Sequence, residues 1–157
     1  MGQAMNAREE IQLVLKIVLK YARTQLQEEG GFQAFGATLG SNRDVLMLLP
    51  ESQPDDASFA DVREHWYRAL RKAIDDGGCR TVAWCCNVKA PGENDTRVPA
   101  VFVHVEHMEG QAWEMYFPFA TDSDSNVLYG EQTELAVQSV LFVRDVQRSP
   151  EADPPIQ

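Results

Sequence analysis

The chain predicts an α+β fold: one antiparallel sheet of about five strands with two main helices, in the order α-β-β-α-β-β-β. Three observations carry this prediction. Two stretches repeat apolar residues at spacings of three and four, each with its own start and stop signals; five extended runs are separated by turn-forming clusters; and one hairpin has a pairing that parity alone fixes. The 157 residues suit a single domain over residues 1–148. The polar stretch Ser149–Gln157 (SPEADPPIQ) lacks apolar weight and is expected to be a disordered tail.

The first helix starts at Asn6, whose side chain can cap it with Glu9 three residues on, and stops at Gly30-Gly31. Between Ile11 and Ala22 only Gln12, Lys16 and Lys20 are strongly polar, and the stripe continues to Arg23 and Gln27. A helix lying on one sheet needs an apolar arc of about 100°. This arc is wider, so the helix is expected to bury more than one flank, against a partner, a second copy or an extra core layer.

Phe32–Leu39 and Asp44–Leu49 follow as a hairpin joined by Gly-Ser-Asn-Arg, and Pro50–Ala57 is a polar loop. Ser58 with Asp61 opens a second helix whose stripe is Phe59, Val62, Trp66, Leu70 and Ala73; Gly77-Gly78 closes it. Its polar side carries Glu64, His65, Arg68, Arg71 and Lys72, as expected of a helix packed on one side.

Thr81–Val88 alternates, with Val82, Trp84, Cys86 and Val88 on its larger apolar face. Val98–His107 and Ala112–Phe119 form the clearest hairpin. If Val101, Val103 and Val105 share a face with Trp113, Met115 and Phe117, paired residue numbers must sum to an even value. A three-residue loop, Met108-Glu109-Gly110, satisfies this and puts Gly110 where a left-handed conformation is needed. The pairs are then Val105 with Trp113, Val103 with Met115, His104 with Glu114 and Phe102 with Tyr116. Val127–Val143 contains a Tyr-Gly-Glu turn and an apolar run that reads as strand, short helix or both.

Composition bounds the function. Apolar residues make up 44%, charged residues 24%, and the net charge is −10, a balance typical of globular proteins; no apolar run approaches the ~20 residues of a membrane span. The acidic field repels nucleic acid and anionic membrane surfaces, so neither is expected as a partner. The N-terminal stretch does not read as an export signal, and a cytoplasmic location is expected. The three cysteines Cys79, Cys85 and Cys86 make a poor disulfide framework.

The chemical motifs are fragments. Asp122-Ser-Asp124-Ser-Asn126 begins like a calcium loop, but Val127 stands where glycine is required and Thr133 where a bidentate glutamate is. His104-Val-Glu106 echoes the histidine and glutamate of zinc deaminases without the downstream cysteine pair. Cys85 or Cys86 with His104 has no metal-ligand spacing, and a Cys85–His104 nucleophile pair has no oxyanion hole beside it. No glycine-rich phosphate loop is present. We therefore assign no catalytic residue, metal or cofactor. What remains is an outward sheet face comprising Ala83, Cys85, Phe102, His104, Glu114 and Tyr116, of which Cys85, Phe102, His104, Glu114 and Tyr116 are the ligand or interface candidates. Cross-strand pairing that simply stabilises the sheet is the plainer account of the same residues.

At Phe35-Gly-Ala-Thr-Leu39, Val82–Val88, Val103–His107, Tyr116-Phe-Pro-Phe119 and Tyr129-Gly-Glu131 the chain resembles a family of small uncharacterised bacterial α+β proteins. The likeness spans residues 8–143 and implies no activity. The chain departs from the family at the first turn, where Arg43 falls near a position the family tends to give to glycine. The element order is also similar to that of roadblock and profilin-like domains, by analogy alone.

These readings lead to an expected non-enzymatic protein-interaction module. It is expected to be homodimeric through the first helix or the sheet face, or to bind another protein. A small-ligand binder or an enzyme working on the outward face is the alternative.

Overall fold

The computed structural model describes residues 5–49 and 57–142. The expected tail and most of the Pro50–Ala57 loop lie outside them. Helix α1 (Ala7–Glu29) begins as the capping pair dictates: Asn6 accepts from the Glu9 amide at 2.9 Å and Glu9 accepts from the Asn6 amide at 3.4 Å. It ends at Gly30, in the left-handed conformation. Helix α2 (Phe59–Asp75) is capped by Ser58 through the Asp61 amide.

The strands are β1 (Phe35–Gly40), β2 (Val45–Leu48), β3 (Cys79–Pro91), β4 (Arg97–His107), β5 (Ala112–Thr121), β6 (Val127–Tyr129) and β7 (Thr133–Ala136). They form one antiparallel sheet in the order β2-β1-β3-β4-β5, with β6 and β7 both pairing on the far edge of β5. The five expected strands are present, and the stretch read ambiguously from Val127 onward supplies two more. β6 pairs with Phe119–Thr121 and β7 with Trp113–Tyr116, so one long strand serves two short ones in succession.

The β4–β5 register is the one parity requires: Val105 faces Trp113, Val103 faces Met115, His104 faces Glu114 and Phe102 faces Tyr116. His107 and Gln111 close the loop, and Gly110 has φ 105°. In the β1–β2 turn Arg43 has φ 68°, a backbone conformation that favours glycine.

Side-chain alternation gives the sheet two apolar faces, each covered by one helix. On the α1 face, Ile11, Val14, Val18, Ala22 and Leu26 pack on Phe35, Ala37, Leu39, Ala83, Cys85, Val101, Val103, Val105, Met115 and Phe117. On the α2 face, Phe59, Val62, Trp66, Tyr67 and Leu70 pack on Val82, Trp84, Cys86, Val88, Ala100 and Phe102. Gly36 allows this second packing: a Cβ there would lie 2.8 Å from the Trp66 ring. Leu13, Leu15, Leu19 and Tyr21 flank the buried stripe, pack against the margins of the same core and stay partly exposed, as does Ile17. One flank leans on β6, where Tyr129 donates to the Leu19 carbonyl, Arg23 donates to the Val127 carbonyl and Gln27 accepts from the Val127 amide. The other flank leans on β1, where Tyr21 meets Phe35 edge-on at 4.7 Å.

Candidate functional site

Alternation along β4 points Phe102, His104 and Glu106 to the α2 face, while Val101, Val103, Val105 and His107 point to the α1 face. Glu114, opposite His104 on β5, joins the first group. The outward face inferred from sequence is therefore not open: α2 covers it, and His104, Phe102 and Glu114 are buried.

Cys85 does not belong with them. The β3–β4 register pairs it with Val103, so it faces α1, as Ala83 does, while Trp84 and Cys86 are the β3 residues that share the face of His104. The even-sum rule also holds between β3 and β4, and it separates Cys85 from His104. Burial, aided by the neighbouring Cys86 thiol, pushes the Cys85 thiol well up, and burial does the same to Cys86. Both are neutral, hydrophobic groups here rather than nucleophiles. No cluster of three metal-ligating side chains occurs among the described residues.

His104, Glu106 and Glu114 form a closed polar network. Nε2 of His104 is 2.6 Å from Glu106 and Nδ1 is 2.9 Å from Glu114. With both carboxylates ionised, both ring nitrogens donate, which only the imidazolium does. Burial alone would lower the His104 pKa, but the hydrogen bonds to Glu106 and Glu114 outweigh it and the net shift is upward. The Tyr67 ring of α2 lies over the imidazole at 5.5 Å.

Glu106 is held from its other side by a segment far along the chain. Its carboxylate accepts from the Ser139 hydroxyl at 2.5 Å and from the backbone amides of Val140, Leu141 and Phe142 at 3.0 to 3.3 Å. Burial would raise its pKa, yet His104, Ser139 and Val140 bring it down to about 2. Val140 and Leu141 thereby enter the α2-face core, and Arg71 donates to the Val140 carbonyl at 3.3 Å. Sequence reading did not find Ser139, whose role depends on the turn after β7, nor Tyr67, which sits beside the helical stripe rather than in it. Glu106 was visible only as a metal-site fragment.

The other sequence candidates are absorbed into structure. Tyr116 is half-buried against Phe102 at 5.3 Å. Asp122 caps its own turn, accepting from the amides of Asp124 and Asn126. His107 sits on the α1 face 3.2 Å from buried Glu10, which Arg80 also grips at 2.8 and 2.9 Å. A groove of about 380 Å³ lies between α1 and the β5–β7 margin, lined by Arg8, Ile11, Leu15, Trp113, Met115 and Glu134 among others.

No helix among the described residues is long and apolar enough to cross a membrane. No family model, curated protein or solved structure matches the chain.

Proposed function

We propose that the protein is a non-enzymatic interaction module that acts as a homodimer. The observation that carries this reading is the width of the α1 apolar arc: Leu13 and Ile17 on one flank and Leu15 on the other remain partly exposed although the helix already covers its own sheet. Leaving such surface in water is unfavourable by about 25 cal/mol per Å², and a second copy removes it. The alternative, a ligand or catalytic site on the His104 face, has less support, since its imidazole and carboxylates are spent on one another beneath α2.

Chromatography coupled to light scattering tests the reading. At about 10 to 100 µM, where micromolar dimers assemble, the expected mass is twice 17.6 kDa. Ile17→Glu, which keeps helix propensity while charging the flank, is expected to shift the species toward monomer. A native chain that stays monomeric across this range overturns the proposal.

A further inference from the structure

We infer that the second copy docks through the outer edge of β2, continuing the sheet by antiparallel pairing of β2 with the partner's β2; this rests on the homodimer reading above. In β1–β2 the Gly40 amide bonds the Asp44 carbonyl, and pairing continues through Thr38–Leu46 and Gly36–Leu48. In an antiparallel pair hydrogen-bonded and non-hydrogen-bonded positions alternate. Val45 and Met47 are thus the residues whose N–H and C=O groups point away from β1, and among the described residues no strand pairs with them.

The side chains along this edge are apolar without interruption from Val45 to Leu49, with Leu46 62% and Leu49 57% exposed. Natural edge strands are normally protected by a lysine, a proline, a charge or a bulge, and none falls within Val45–Leu48. The opposite edge differs: β7 and the turn before it carry Glu131, Gln132 and Glu134 around Leu135. The two margins of one sheet are therefore unequal, and the uncharged one is β2.

Two further facts favour a second copy as the occupant. First, the strand complements itself: with Met47 opposite the partner's Met47, Val45 meets the partner's Leu49 and Leu46 meets the partner's Leu48, so apolar faces apolar at all five positions. Second, a five-residue seam is smaller than a stable interface of about 1,200 Å² or more, and α1 enlarges it. Val45 and Met47 face the α1 side of the sheet and, like Leu13 and Tyr21 of α1, pack against the margin of its core. Leu13 and Ile17 thus extend the apolar margin above the seam. At the turn end of the seam the exposed Arg43 and Asp44 offset one another, so the strand edge itself adds no net charge to a contact between two chains of charge −10.

The test uses the full chain and three variants. Met47→Pro removes an amide that the monomer does not use and the seam does; Leu46→Lys charges a side chain already exposed in the monomer; Leu135→Lys does the same on the opposite edge. Light scattering over a dilution series is expected to show a native dimer, a dissociation constant raised about a hundredfold or more in both β2 variants, and no change for Leu135→Lys. Circular dichroism reports folding, and if Met47→Pro proves unfolded then Leu46→Lys decides. Amide exchange of Val45 and Met47 should slow as concentration rises. A native dimer that both folded β2 variants leave intact, or that Leu135→Lys dissociates, overturns the β2 seam while leaving the homodimer standing. A native monomer overturns the homodimer itself.

Discussion

Ser139 donates its hydroxyl to Glu106 at 2.5 Å although 33 positions separate them. That bond, with three backbone amides beside it, fastens the end of the described chain to the fourth strand. Glu106 is in turn the partner of His104, so one carboxylate joins a strand, a distant turn and a buried cation.

Glu106→Gln keeps the shape but removes the charge opposite His104. Breaking one partner of a buried ion pair costs about 3 to 5 kcal/mol. We expect a loss of roughly 3 kcal/mol in urea denaturation, the amide oxygen still accepting some of the bonds. Ser139→Ala should cost about 1.5 kcal/mol, the value of one hydrogen bond to a charged group. A double variant no worse than Glu106→Gln would show that the hydroxyl acts only through this carboxylate.

Stability should depend on pH in two opposite limbs. The folded pKa of Glu106 lies near 2, below its ordinary 4.5, so its contribution is full above about 4.5 and is lost as pH falls through the interval toward 2. His104 is shifted upward from 6.5, so its contribution is full below that value and is lost as pH rises through the folded pKa. Melting temperature measured from pH 3 to 9 should peak near pH 5 to 6. A curve that stays flat from pH 6 to 9 would exclude an imidazolium at His104.

Gly36→Ala tests the approach of α2 to the sheet. Its Cβ would meet the Trp66 ring at 2.8 Å and the Ala83 carbonyl at 3.3 Å. Overpacking of this kind costs about 1 to 3 kcal/mol, and a shift in Trp66 fluorescence should accompany the drop in urea midpoint.

Thiol labelling should separate the three cysteines. Cys79 is half-exposed and should react in the native state, slowly because burial and Asp76 raise its pKa. Cys85 and Cys86 are buried and should react only on unfolding. One native equivalent and three in urea is the expected count.

Most of the scaffold was legible in the residues. Asn6 with Glu9, Ser58 with Asp61 and the paired glycines bounded both helices, because capping is local chemistry. Parity fixed the β4–β5 register down to His104–Glu114. Placing Cys85 beside His104 failed because the β3–β4 register is set by the Gly92–Thr96 turn, where Asn94 and Asp95 take left-handed conformations that no glycine announces. The Ser139–Phe142 cradle was invisible for a different cause, since nothing in its own sequence announces that it will return to Glu106.

The grip of Ser139 to Phe142 on Glu106 also orders events in time. A nascent polypeptide that has delivered β4 but not yet its last described turn leaves Glu106 with His104 as its side-chain partner but without the Ser139–Phe142 donors, so closing the core is disfavoured until residue 142 is free to reach it. Any prematurely terminated product ending before Ser139 inherits that defect permanently, and such fragments should be cleared by proteolysis instead of accumulating as a smaller folded species.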